Sequence, residues 1–324
     1  MQRIFNLLEN NNVKNIAIFS HIRGDGDCLG AQTGLAEILI AAGYQVRLYN
    51  QDSLSRNYMF YRHYDEIKKF ADDEVIPDIC IAVDCANYDR MGQLPYKLSS
   101  CRWINIDHHI SNSLFGNLNI VNGEASSACE ILAKMALESN IALTKDCATS
   151  LYSGISTDTG SFLYPNASSE TFKIAAQLLE LGADKNLVQW NVFENTSRTQ
   201  LNIYKYLYSN IQYALDEQVA YCVFSKKVME EIGVTAEDFE GVVSLIKEIQ
   251  GVELAILLTE LSEGICKISM RSKSFFNTNK ACKKFGGGGH IRASGASVKA
   301  NPDEAIARVL NEVAEQWEGD IYAK

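Results

Sequence analysis

The stretch NIAIFSHIRGDGDCLGAQTGLAEILIAAG, residues 15–43, decides the fold. Its apolar run Ile16–Phe19, flanked by polar residues, reads as a buried strand. A short loop holding Gly24 and Gly26 follows, and CLGAQTGLAEILIAAG reads as a helix that Gly43 stops, because glycine takes the left-handed conformation a helix C-terminus wants. The same alternation of short apolar runs and helical stretches continues to about residue 190. YQVRLYN, ICIAVD and RWINID are the further strands, and Gly182 ends the helical stretch SSETFKIAAQLLEL. Strands alternating with helices predict an α/β domain whose mostly parallel sheet is covered on both faces. Ligands of such sheets bind beyond the carboxyl ends of the strands.

At 324 residues and 47% apolar content the chain is long enough for two domains. The reading divides it into a first domain at 1–190, a helical linker at 191–210 (NVFENTSRTQLNIYKYLYSN) and a smaller α/β domain at 211–324. The last contains VAYCVF, ELAILLTEL and ICKISMRS at strand-like period, a glycine run, and the amphipathic PDEAIARVLNEVAEQW. Nine cysteines, with no CxxC pair, fit buried thiols in a reducing compartment. The N-terminus shows no signal-peptide core and no apolar run approaches a membrane span, so a soluble cytoplasmic protein is expected. A net charge of −10 and a pI of about 5.1 argue against a broad footprint on long duplexes, which Lys and Arg would have to neutralise. Anionic substrates stay open where metals supply the positive charge.

Four of the five histidines sit in two kinds of motif. His21, Asp25 and Asp27 share the glycine-flexed loop after the first strand. Asp84 ends ICIAV, and Asp107, His108 and His109 end RWINI, which brings them to one rim of a parallel sheet. Asp158, in GISTDTGSF, closes a helix that begins near Thr144. Any one strand-end aspartate reads more simply as a turn or helix cap. Crowded together, these carboxylates repel one another unless a cation joins them. Imidazole and carboxylate donors suit Mn²⁺, Mg²⁺ or Fe²⁺, and soft thiolates stand outside these motifs. Two ions about 3.5–4 Å apart generate hydroxide near neutral pH and stabilise attacking and leaving oxygens, the chemistry of phosphoester hydrolysis.

In the second domain Arg271 and Ser272 end a strand, and FGGGGHIRASGAS brings Gly286, Gly287, Gly288 and Gly289 next to His290. Consecutive glycines can expose backbone N–H groups as an anion-binding nest. A plain hinge is the competing reading, which the adjoining His290 and Phe285 weigh against.

HxxxDxD, a strand-end Asp, DHH, and a helix-borne Asp before TGSF resemble the four metal motifs of the DHH phosphoesterase superfamily, and GGGGH resembles its DHHA1 domain. The likeness covers essentially the whole chain, and DTGSF with FGGGGHIRASGA is most similar to the NrnA-type oligoribonuclease (nanoRNase) and pAp phosphatase branch. The resemblance implies two divalent ions, Mn²⁺ foremost and Mg²⁺ second. His21, Asp25 and Asp84 would hold one, and Asp27, Asp84, His108 and Asp158 the other. It further implies that Asp107 orients its histidine neighbour, that His109 meets the scissile phosphate, and that Arg271, Ser272, the four glycines and His290 hold the rest of a short RNA or nucleotide. Gly24 stands where relatives usually have Pro, and Leu-Gly-Ala-Gln follows the motif.

Four other readings compete. A RecJ-like single-strand exonuclease would need further domains and a basic channel. A family II pyrophosphatase would end in a different second domain. A phosphodiesterase for linear or cyclic dinucleotides is the runner-up. A catalytically idle nucleotide-binding regulator would have lost a ligand, and none is lost here. Cleavage polarity, physiological ion and oligomeric state are left open by the sequence, a homodimer among the options.

Overall fold

A computed structural model describes residues 1–94, 96–239 and 241–321. The chain divides into two units, Met1–Asn195 and Thr196–Lys324. In the first, β1 (Asn15–Phe19) alternates its side chains so that Ile16 and Ile18 face one way and Ala17 and Phe19 the other, all of them buried. Four further strands, β2 (Gln45–Tyr49), β3 (Ile79–Val83), β4 (Trp103–Asp107) and β5 (Leu118–Val121), join it in the order β2-β1-β3-β4-β5, every pair parallel.

Helices cover the isoleucine face: α1 (Gln2–Asn10), α2 (Gly26–Ala41), α3 (Ala128–Glu138), α4 (Lys145–Asp158), α5 (Ser169–Glu180) and the short α6 (Lys185–Val188). Gly43 and Gly182 end α2 and α5 with φ of +91° and +95°, and in each case the glycine's own N–H and that of the following residue close a Schellman motif onto the last turn. The second face departs from expectation. Among the described residues no α-helix connects β2 to β3 or β3 to β4; turns and short 3-10 segments pack there around Phe19, Tyr49, Phe70 and Trp103. An aromatic cluster supplies the burial a helix would have given.

In the second unit a six-stranded mixed sheet has the order β10-β11-β9-β8-β7-β6, from β6 (Gln212–Ala214), β7 (Val219–Phe224), β8 (Leu254–Ser262), β9 (Ile265–Ser272), β10 (Gly288–His290) and β11 (Ala293–Lys299). One face packs α10 (Thr278–Lys283) and α11 (Pro302–Ile321) on Ile256, Ile268 and Val298. The other packs α7 (Arg198–Asn210), α8 (Lys226–Ile232) and α9 (Val242–Lys247) on Ala220, Cys222 and Leu257. Residues 191–210, read from sequence as a linker, thus divide between the units: Ile203 and Leu207 of α7 are fully buried in the second unit's core. No helix among the described residues is long and apolar enough to cross a membrane.

Candidate metal centre

The carboxyl ends of β1, β3 and β4 and the C-terminus of α4 bring His21, Asp25, Asp27, Asp84, His108 and Asp158 together. Asp84 is the hub. Its Oδ2 lies 3.2 Å from His21 Nε2, and its Oδ1 lies 3.4 Å from His108 Nε2 and 3.5 Å from His109 Nδ1. His108 Nε2 is also 3.2 Å from Asp158 Oδ2 and 4.0 Å from Asp27 Oδ2, while His21 Nε2 is 3.7 Å from Asp25 Oδ2. Asp84 follows β3 at φ +54°, a left-handed conformation that a non-glycine residue adopts at a cost of about 1–3 kcal/mol. Its backbone N–H, bonded to Ile106 O at 2.8 Å, holds it there.

His21, Asp25 and Asp27 are each fixed from behind. His21 Nδ1 donates to Ile22 O at 2.8 Å, which turns its Nε2 toward Asp84 and Asp25. Asp27 accepts from the N–H groups of Ala128 and Cys129, unpaired donors at the start of α3, at 2.7 and 2.8 Å. Asn50 Nδ2 donates to His21 O, and Gln32 Nε2 donates to Ile18 O and Tyr49 O, tying the ends of β1 and β2. The loop with Gly24 is pinned by Arg23 N–H on Asp52 Oδ2 and by Asp25, which caps α2. The site fits a cation: Asp84 Oδ1 is buried without a hydrogen-bond partner, and three overlapping sets of donor atoms converge on this rim.

Asp107 lies apart from these sets. Its Oδ1 accepts from His109 Nδ1 at 2.7 Å and its Oδ2 from Asn112 Nδ2 at 2.6 Å, leaving His109 Nε2 unengaged on a side chain 34% exposed. Asn112 escaped the sequence reading, as asparagine five residues past an aspartate carries no spacing signal. Cys28 also belongs to the neighbourhood, for the ligand atoms of His21, Asp25 and Cys28 lie within 4.8 Å of one another. The expectation that thiols stand apart from these motifs is corrected on this point.

Electrostatics follow from burial and crowding. Burial first, then Asp84, pushes the Asp27 carboxyl up to about 7; burial with Asp27 and Asp84 pushes Asp158 up to about 9. Burial opposes a charged His108, but Asp84, Asp27 and Asp158 outweigh it and lift the imidazole to about 10. All three groups hold protons in the fold that the unfolded chain has already released. Raising the pH strips them, so metal-free protein should lose thermal stability as pH climbs from about 5 to about 10. Thermal melts in chelator should show this fall, and saturating Mn²⁺, standing in for the protons, should flatten it. A midpoint that rises with pH in chelator, or an unchanged slope with Mn²⁺, would contradict the assignment.

In the second unit Arg271 is half-buried between Ala255 and Ala293 in the strand register, its pKa lowered by burial, and it forms no ion pair among the described residues. Ser272 is buried and donates its hydroxyl to Phe276 O at 2.7 Å, so its side chain serves the following turn. The glycine run does not form the expected four-amide nest. Gly286 and Gly287 donate to Lys283 O and Cys282 O and thereby end α10, while Gly288 and Gly289 pair with β11. A Cβ on Gly287 or Gly289 would strike Gly295 O or Ala293 O at 2.2 and 2.5 Å, which is why side chains are excluded there. His290 is exposed on this edge strand. From Gly264 to Pro302 stand eight Lys and Arg and no Asp or Glu, a basic tract hidden in the chain's overall −10.

Residues 15–155 match the DHH family, N-terminal domain, and residues 216–319 the DHHA1 domain. A probable bifunctional oligoribonuclease and PAP phosphatase NrnA of Streptococcus mutans is 32% identical over 293 residues, 87% of this chain and 89% of that protein. The bifunctional oligoribonuclease and PAP phosphatase NrnA of Bacillus subtilis is 30% identical over 290 residues, with the same coverage of 87% and 89%. Among solved structures, an exopolyphosphatase-related protein from Bacteroides fragilis matches with a TM-score of 0.88 at 25% identity, covering 98% of this chain and 97% of that one. The two domain matches, together with 32% identity to a relative across 87% of this chain, place the chain in the DHH family.

Proposed function

We propose that the protein is a cytoplasmic phosphoesterase that uses two divalent ions, Mn²⁺ foremost, to hydrolyse short oligoribonucleotides, 3'-phosphoadenosine 5'-phosphate, or both. The observation that carries the reading is Asp84: one carboxylate with an oxygen toward His21, and its other, unpartnered oxygen toward His108. His21, Asp25 and Asp84 would hold one ion; Asp27, Asp84, His108 and Asp158 the other. Such a pair of ions activates a water and stabilises both oxygens of an in-line displacement. Asp107 keeps the His109 proton on Nδ1, so His109 Nε2 is free to meet the scissile phosphate. The names of the relatives supply the substrate class, and nine free thiols agree with a reducing compartment.

Arg271, Gly288, Gly289 and His290 would bind the nucleotide on the second unit, Arg271 as a desolvated guanidinium suited to phosphate. Arg271→Ala should weaken short-substrate binding by about 1–3 kcal/mol with metal content unchanged. An Mn²⁺ panel of pAp, RNA of about two to five residues, a long oligomer, linear and cyclic dinucleotides and pyrophosphate tests the whole reading. Short RNA or pAp should give the highest kcat/KM. Equal handling of the long oligomer would favour a processive exonuclease, and preference for a dinucleotide the runner-up.

A further inference from the structure

Cys28 occupies the first turn of α2, one residue beyond Asp27, and is completely buried. Its thiol makes a long 3.8 Å contact to Asp25 O and lies in hydrogen-bonding reach of the His21 imidazole, while its backbone N–H is tied to Asp25 Oδ1 at 3.0 Å. A Cβ added at Gly24 would lie 3.1 Å from Cys28 Sγ, so the sulfur faces the loop that carries His21 and Asp25, while the residue also packs in a buried cluster with Leu29, Tyr58 and Tyr61. With the ligand atoms of all three residues within 4.8 Å of one another, an ion held by His21 and Asp25 has a sulfur within reach. On this side of the centre Asp84 presents its Oδ2, 3.2 Å from His21 Nε2, so a further carboxylate oxygen faces the ion that the three residues would share.

We propose that Cys28 is a thiolate ligand to the ion held by His21 and Asp25, giving that position mixed N, O and S donors. The inference rests on the metal-centre reading above and deepens it. As the sulfur–metal bond forms, the thiol proton leaves to solvent, and no electron is transferred. A soft donor favours Co²⁺, Zn²⁺ or Cd²⁺ over Mn²⁺, so this centre should accept thiophilic ions more readily than oxygen and nitrogen donors alone would allow.

The test is optical. Chelator-treated wild type, Cys28→Ala and Cys28→Ser are titrated with Co²⁺ alone, each checked for folding by its thermal melt. All three should develop visible d–d absorption, and only the wild type a near-ultraviolet sulfur-to-cobalt charge-transfer band. Co²⁺ affinity should fall about tenfold or more in both variants relative to Mn²⁺ affinity. Absence of d–d absorption in the wild type would overturn the metal centre itself. Visible bands with identical near-ultraviolet spectra in wild type and variants would overturn only the role of Cys28. Where neither variant folds, a wild-type spectrum without the charge-transfer band is enough to reject it.

Discussion

Asp84→Ala should reduce hydrolysis by about a thousandfold or more at saturating Mn²⁺ while the protein stays folded. The size of the effect follows from geometry. Every other donor of the centre serves one side of it, whereas Asp84 has one oxygen 3.2 Å from His21 and the other 3.4 Å from His108. Losing it removes the joint between the two halves, and with it the alignment of water, phosphorus and leaving oxygen on which a two-ion mechanism depends. Removing even one preorganised charge-stabilising donor costs about a hundredfold to a thousandfold, and on the proposed two-ion reading both positions are disturbed together. Folding should survive because the left-handed backbone at φ +54° is held by the bond from its N–H to Ile106 O, which alanine retains. Asp84→Gly is the cleaner companion, since glycine takes that conformation without strain. Both variants should melt cooperatively, and neither should gain the stability that Mn²⁺ gives the wild type. More than about a tenth of the wild-type rate in either would sink the two-ion assignment.

The sequence told most where chain direction and chemistry coincide. A parallel strand must end at the carboxyl rim, so Asp84 after ICIAV and His108 after RWINI could be assigned to one place from periodicity alone. Helix punctuation was equally readable at Gly43 and Gly182, where a positive φ is a local requirement. What stayed hidden depends on partners far along the chain. The second face of the first sheet is closed with the help of Phe70 and Tyr88, which lie outside the strands and have no period to announce them. Gly286 and Gly287 looked free to bind anions because their hydrogen bonds go to Lys283 O and Cys282 O, a helix end that a short polar stretch had not revealed. The tyrosine-rich stretch after 197 looked like a connector because its buried pair, Ile203 and Leu207, is matched by strands on the far side of a loop. Cys28 was passed over for a related reason: a cysteine beside apolar residues reads as core, as it is, and only the fold shows that its sulfur also faces a loop.

Gly154→Ala should destabilise the protein and empty its metal centre, against the usual rule for that substitution. In a helix interior alanine is favoured over glycine by about 1 kcal/mol, and Gly154 lies well inside α4. There is no room for the gain. A Cβ at 154 would sit 2.2 Å from Cys129 Sγ, 2.9 Å from Cys129 Cβ and 3.0 Å from Asp27 Oδ1. Relief requires α4 to withdraw from α3 by about an ångström, since packed carbon and sulfur atoms sit no closer than about 3.5 Å. The consequence reaches the centre because the two helices hold opposite ligands: the α3 amides of Ala128 and Cys129 anchor Asp27, and α4 ends on Asp158. Overpacking of this kind costs about 1–3 kcal/mol, which in a protein of this size lowers the melting midpoint by several degrees. Parting Asp27 from Asp158 should weaken Mn²⁺ binding about tenfold to a hundredfold. Cys129→Ala in the same chain removes the shortest contact and should restore part of both losses, a coupling that independent sites would not show. A Gly154→Ala protein as stable as wild type, with full Mn²⁺ content, would mean that α4 can move without carrying Asp158 away, and the rigid link from helix packing to metal geometry would be wrong.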